Sequence, residues 1–324
     1  MNKVNERGAL RLGTRGSQLA LVQSRWVAAQ VEAATGLTVE LQIIKTEGDL
    51  RLDQPLSRLG GKGLFTRELD RALLDGEVDF AVHSLKDLPT TPVPGLAVAA
   101  TPEREDPRDV LVGPDGTSPT LRTLPEGATV GTSSLRRQAL CRAYRKDLNV
   151  VSIRGNLDTR MAKTDAGEVD AILLAGAGIR RLGHARRIGE WMERTAWLPA
   201  PGQGALGIVS RDDDPEVQET LGFLDDTPTR ASVEAERGLL HTLEGGCQVP
   251  VGALGIPFQG RMKLFGLVAS PDGRRVVRGE LLGRMDDPKG LGRELAELLL
   301  ERGAGSILDE VRAALAADAL SEHP

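Results

Sequence analysis

The feature that most constrains this chain is a kind of turn that recurs along its first 185 residues. Glycines and hydroxyl residues gather around an arginine or lysine, and an amphipathic run follows. The turn occurs as "GTRGS" (Gly13–Ser17), "GGKGLF" (Gly60–Phe65), "GTSSLRRQ" (Gly131–Gln138), "IRGN" (Ile153–Asn156) and "AGAGIRR" (Ala175–Arg181). Most of these follow a short apolar run. Turns of this kind join strand to helix in α/β sheets, where they collect along the edge at which ligands bind.

The flanking segments fit that frame. "ALRLGT" predicts a strand. Ser17 then caps a helix over 18–35 with Leu19, Val22, Trp26 and Ala29 on one face, and Gly36 stops it. "TVELQIIKT" predicts a strand, "LFTRELDRALLDG" a helix ending at Gly76, and "VDFAVHSL" a strand entering the loop "KDLPTTPVPG". Alternation of this sort implies parallel pairing. "TPEREDPRD" (101–109) predicts a crossover into a second series: strands "ATVGT", "NVVSI" and "DAILLA", with helices "LRRQALCRAYR", "NLDTRMAKT" and "GIRRLG". "LPAPGQGALGIVSRDDDPE" predicts a second crossover ending in a strand. From about residue 227 the pattern changes. A helix "VEAERGLLHTLE" capped by Ser232, two strands ("MKLFGLVAS", "RRVVRGELLG") joined by "PDG", and two closing helices read as a small α+β domain. The expected domains are 1–103 with 203–224, then 108–199, then 227–324.

Composition narrows the function. The net charge of -5 argues against a general nucleic-acid role. Aromatics are only 3%, so the cores rest on Leu, Val, Ile and Ala. Two cysteines without a CxxC make no disulfide framework, and the N-terminal "MNKVNERGALRLGTRG" has no apolar signal-peptide core. No apolar run, "AILLAGAGI" included, is long enough to cross a membrane. A cytoplasmic monomer bound to no membrane is the expectation.

Charge is unevenly placed. Residues 131–187 hold twelve bases against five acids in an acidic chain. Helix N-termini offer free N–H groups and partial positive charge, and Arg adds a planar fork for carboxylate or phosphate. Arg15, Arg136, Arg137, Arg154 and Arg181 lie in or beside the turns and read as anion contacts. Arg142, Arg145, Arg186 and Arg187 read as solvated surface charges. Several anion seats suggest a ligand with many acid groups. No turn has the spacing of a P-loop or of a dinucleotide-binding GxGxxG.

Two residues do not fit a simple acid binder. Asp87, in "HSLKDLP" (His83–Pro89), taken alone reads as a turn residue or a loop salt bridge; among arginines at the same edge, its carboxylate suits a bound species that turns cationic during reaction. His83 beside it reads as structural, since four histidines without an i,i+4 pair give no metal site. Cys141 sits on an apolar helix face. Cys247, in "EGGCQVPVG" (Glu244–Gly252), follows a helix end on a Gly-Gly bend, where an accessible thiol can act as a nucleophile or tether a prosthetic group.

Eight strings, "GTRGSQLAL", "GGKGLFTRELD", "HSLKDLP", "EREDPRD", "GTSSLRRQ", "RGNLDTR", "LPAPGQGALGI" and "EGGCQVPVG", occur in register from about residue 10 to 315. Together they resemble the porphobilinogen deaminases, also called hydroxymethylbilane synthases. The resemblance implies two α/β domains like those of periplasmic binding proteins, with two crossovers and a cleft, and a third domain carrying the cysteine. It implies an enzyme that joins four porphobilinogens head to tail with loss of ammonia and then hydrolyses off hydroxymethylbilane. It implies a dipyrromethane cofactor held by a thioether at Cys247, with Asp87 as the catalytic residue that offsets the azafulvenium charge. Matching positions imply cofactor contacts at Ser84, Lys86, Ser134, Arg136 and Arg137. They imply substrate contacts at Arg15, Ser17, Lys62, Arg154, Arg160 and Arg181, with no metal. Phe65 stands where it could pack beside a pyrrole or in the core. A non-catalytic two-lobed anion-binding protein and a phosphate-handling enzyme are the alternatives from other classes.

Overall fold

The computed structural model describes residues 8–46, 66–243 and 249–320. The expected sites Lys62, Phe65 and Cys247 lie outside the described residues, as does Leu64, the first residue of the helix expected there. The chain divides into two compact units.

The first unit draws on Met1–Leu52, Gly61–Glu105 and Gly204–Arg230. Strand β1 (Ala9–Thr14) leads into helix α1 (Gln18–Thr35), β2 (Thr38–Ile43), helix α2 (Arg67–Leu74), β3 (Phe80–Ser84) and β4 (Leu96–Ala100). Ser17 caps α1 by accepting from Ala20 N at 3.3 Å, and Gly36 closes it in the left-handed region at φ 73°. The buried face of α1 is Gln23, Ser24, Val27, Ala28 and Val31, while Trp26 is 46% exposed. The expected face through Leu19, Val22, Trp26 and Ala29 is therefore rotated. The reason is polar. Ser24 donates to Thr14 Oγ1 at 2.7 Å and Gln23 to Ser84 Oγ at 3.2 Å, so two hydrophilic residues face the sheet.

The sheet order is β2-β1-β3-β10-β4, where β10 is Leu206–Arg211. β1 pairs in parallel with β2 (Ala9↔Thr38 through Thr14↔Ile43) and with β3. The alternating strands β1, β2 and β3 pair in parallel as expected, while β10, whose direction the sequence left open, runs antiparallel to β3 and β4. It arrives from the second crossover rather than from a preceding helix. Leu10, Leu12, Val27, Val31, Phe80 and Ile208 pack with Val217 and Leu221 of α6 (Pro215–Gly222) as the core.

The second unit contains Asp106–Gln203 and Ala231–Pro324. β5 (Asp109–Val112), β6 (Thr129–Gly131), α3 (Leu135–Tyr144), β7 (Asn149–Val151), α4 (Leu157–Asp165), β8 (Ala171–Ala175), α5 (Gly176–Arg181) and β9 (Ile188–Trp191) build a sheet of order β7-β6-β8-β5-β9. β6 pairs in parallel with β7 and β8, and β5 runs antiparallel to β8 and β9. The plan of the first sheet is repeated: three parallel strands, one antiparallel strand delivered by a crossover, one edge strand. These are the two α/β sheets and two crossovers expected from the sequence.

Helix α7 (Thr227–Thr242) follows, then β11 (Val251–Phe258), β12 (Arg261–Ala269), β13 (Val276–Arg284), α8 (Pro288–Glu301) and α9 (Ala304–Leu320). The three strands form an antiparallel sheet in the order β11-β12-β13. Helix α7 begins five residues before the expected cap. Asp226 Oδ1 accepts from Thr229 N, and Ser232 is 4% exposed inside the helix. β11 escaped the sequence reading because Gly252, Gly255 and Pro257 dilute its pattern. A Cβ at Gly255 would sit 2.9 Å from the Ser232 carbonyl oxygen, so the glycine lets α7 approach the sheet. β4, β5 and β9 were also unforeseen; each is four or five residues long.

Within this unit one core joins both sheets: Leu111, Leu140, Cys141, Leu173 and Trp197 pack with Leu254, Leu267 and Ala269. Three arginines read as solvated charges are instead ties. Arg142 Nη1 donates to Pro271 O at 2.6 Å and Arg145 Nη1 to Leu121 O at 2.6 Å. Arg187 Nη2 donates to Asp165 at 2.6 Å and to Gly113 O at 3.1 Å. Only Arg186 of that set is exposed.

Candidate functional site

In the first unit, the turn after β1 and the end of β3 come together. Thr14 is buried under α1, which sets Arg15 and Ser17 at the helix N-terminus. β3 ends at Ser84 and passes into a 3-10 turn, Leu85–Asp87. The turn follows because Leu85 N donates to Ala205 O and Leu88 N to Leu85 O, which halts the strand. Arg15, Ser17, Gln23, Thr66, His83, Ser84 and Asp87 thereby line one open cavity of about 420 Å³. Four expected site residues share this space, and Lys86 lies in the same turn, half-buried. The capping role of Ser17 uses a lone pair and leaves its O–H proton to donate to a ligand. His83 is buried and held neutral: burial, then the charge of Arg15, push its pKa down to about 4.

In the second unit the turn after β6 behaves differently. Ser134 caps α3 through Arg137 N at 3.5 Å. Arg136 and Arg137, read from the sequence as open anion contacts, are 2% and 6% exposed and already have an anion. Arg136 Nη1 donates to Asp109 Oδ2 at 2.6 Å and to Leu198 O at 2.7 Å. Arg137 Nη2 donates to Asp109 Oδ1 at 2.8 Å and to Gln203 Oε1 at 3.1 Å. Trp197 Nε1 and Gln203 Nε2 also donate to Asp109, at 2.9 and 2.8 Å. Burial would raise the Asp109 carboxyl, but the two guanidiniums outweigh it and hold the group well below the carboxylate range. The Nε atoms of Arg136 and Arg137 are buried without a partner among the described residues.

Beyond this hub lies a cationic cluster. Arg160 donates from Nε to Gly155 O at 2.9 Å, in the turn that carries Arg154. Its pKa is lowered to about 10 by burial, then by the charges of Arg137 and Arg154. Arg137 and Arg154 thus each lie near enough to Arg160 to repel it, a configuration an anion relieves. Arg181 ends α5 and is partly buried.

Sequence reasoning missed Asp109, Gln203 and Trp197. The available signal was an aspartate opening the wholly apolar stretch "VLV" directly after a Pro-rich crossover.

Two α/β sheets of one plan, each with cationic and hydroxyl-bearing turns and one with a carboxylate among them, define a protein for a multiply charged organic anion. A family model described as "Porphobilinogen deaminase, dipyromethane cofactor binding domain" matches residues 10–219, and one described as "Porphobilinogen deaminase, C-terminal domain" matches 231–301. The porphobilinogen deaminase of Moorella thermoacetica is 50% identical over 305 residues, covering 94% of this chain and 97% of that one. That of Desulforudis audaxviator is 51% identical over 303 residues, covering 93% and 97%. The chain belongs to the porphobilinogen deaminase family. Among solved structures, the methionine binding protein MetQ is 12% identical with a TM-score of 0.44, covering 67% of this chain and 89% of that one, a likeness too slight to carry any argument.

Proposed function

We propose that the chain is a working porphobilinogen deaminase. It joins four porphobilinogens head to tail with loss of ammonia, then releases hydroxymethylbilane by hydrolysis. The observation that carries the reading is the cavity of the first unit, where Asp87 stands with Arg15, Ser17 and Ser84.

The family's dipyrromethane cofactor suits the residues present. Such a group bears pyrrole N–H donors and carboxylates, and the chain offers a carboxylate acceptor, helix-capping hydroxyls and an Arg160 guanidinium repelled by those of Arg137 and Arg154. When bound, the dipyrromethane supplies the nucleophilic pyrrole carbon. Cys247 holds it, an assignment that rests on its motif. Ser84, Lys86 and Ser134 contact its carboxylates. Arg136 and Arg137 do so through the guanidinium atoms that Asp109 leaves unengaged, each Nε among them. Arg15, Ser17, Lys62, Arg154, Arg160 and Arg181 bind the carboxylates of substrate.

Asp87 accepts hydrogen bonds from pyrrole N–H and offsets the positive charge that develops on substrate as ammonia leaves. The 3-10 turn fixes its backbone at the end of β3, beside the other residues of the cavity. We place the three working parts at 1–103 with 203–224, 108–199 and 227–324, in a cytoplasmic monomer that needs no nucleic acid. Among the described residues no helix is long and apolar enough to cross a membrane.

Purified protein given porphobilinogen in excess chelator should release ammonia and form hydroxymethylbilane at full rate. Asp87→Ala should lower kcat roughly 100- to 1,000-fold. Normal turnover by that variant removes Asp87 from the mechanism.

A further inference from the structure

His83 is a group the mechanism has not used. Its side chain lies on β3, one residue before Ser84, and is 5% exposed. Its Nε2 is buried without a hydrogen-bond partner among the described residues, yet the ring lines the cavity that holds Arg15, Ser17, Ser84 and Asp87. Buried polar atoms are nearly always paired, so an unpaired one at the wall of a binding cavity is open to a water or ligand atom in the cavity.

The character of that ligand atom follows from the neighbours. Arg15 stands close enough that its charge, added to burial, keeps the imidazole unprotonated. A neutral imidazole has a single N–H, and a carboxylate has about four acceptor sites, more than one guanidinium fills. Arg15 and the Ser17 hydroxyl draw an anion to this wall. We infer that His83 is a substrate-contacting residue: its Nε2–H donates to the porphobilinogen carboxylate that Arg15 pairs with. Imidazole gives direction there without a second full charge. The inference rests on the porphobilinogen deaminase reading of the cavity.

The test has a spectroscopic and a kinetic arm, both on the holoenzyme. The protein has four histidines, so the ¹⁵N-histidine spectrum is assignable for His83 by difference from His83→Asn. At pH 7 saturating porphobilinogen should shift the His83 Nε2 resonance and slow exchange of its proton. His83→Leu should raise KM about 10- to 100-fold with kcat within a few-fold, the loss of one hydrogen bond to a charged group. His83→Asn should recover most of it through its amide N–H. An unmoved resonance at saturation, or wild-type KM in His83→Leu, overturns the assignment. If the leucine variant does not fold, the wild-type spectrum decides. Wild-type protein that fails to turn over porphobilinogen defeats the family reading instead; turnover with a silent His83 defeats only this inference.

Discussion

Asp109 accepts hydrogen bonds from four side chains while buried from water, and its partners lie 27, 28, 88 and 94 residues away in sequence. That separation is why no local spacing betrayed it, whereas Arg136 and Arg137 were visible through their turn. The turn showed where those arginines sit but not what they hold. Removing one partner of a buried pair leaves uncompensated charge, so Asp109→Asn should cost about 3–5 kcal/mol, read from the urea midpoint at pH 7. The depressed folded pKa means this stabilisation is intact above the ordinary carboxylate pKa of about 3.9 and is lost only as pH falls toward the lower folded value. The variant should therefore lack part of the wild-type loss of stability below pH about 4. His83 acts in a different window. The unfolded imidazole titrates near about 6.5 and the folded one at about 4, so the unfolded chain binds the extra proton between them. Stability present above that window should fall by about 3 kcal/mol as pH drops through it. His83→Asn should remove that part of the slope; an unchanged slope would show that the ring is not held neutral.

At the scale of elements, helix ends were the most legible features. Ser17 and Gly36 stand where their chemistry placed them, because caps are decided within a few residues, whereas Ser232, read as a cap, lies inside a helix that starts at Thr227. Faces and short strands were less so. The sheet side of α1 carries Gln23 and Ser24, whose partners Ser84 and Thr14 come from strands, and apolar periodicity is blind to such pairs. Element packing also ties the C-terminal sheet to the helix that presents the hub arginines. The β12–β13 turn rests on α3: Arg142 holds Pro271 O, and Gly273 has φ 73° with no room for a side chain. A Cβ there would lie 2.6 Å from Ala143 N and 2.7 Å from Ala139 O. Gly273→Ala should therefore cost about 1–3 kcal/mol from overpacking, with positive-φ strain added. A thermal midpoint equal to wild type would show that the turn moves off the helix freely.

Across the whole molecule, the α/β class and the two crossovers were legible because Pro-rich stretches interrupt the strand–helix alternation. Strand direction was not. β5 and β10 run antiparallel because each enters its sheet from a crossover, and no residue in "VLVG" or "ALGIVS" records which sheet it will join. The repeated sheet plan is likewise a property of topology that the two unlike sequences conceal. At this scale the proposal to test is a dipyrromethane fixed to Cys247. Intact mass of protein made in a haem-competent host measures it most directly. The wild type should show an increment of two pyrrole units that is absent from Cys247→Ser; an unmodified wild-type mass would overturn the assignment.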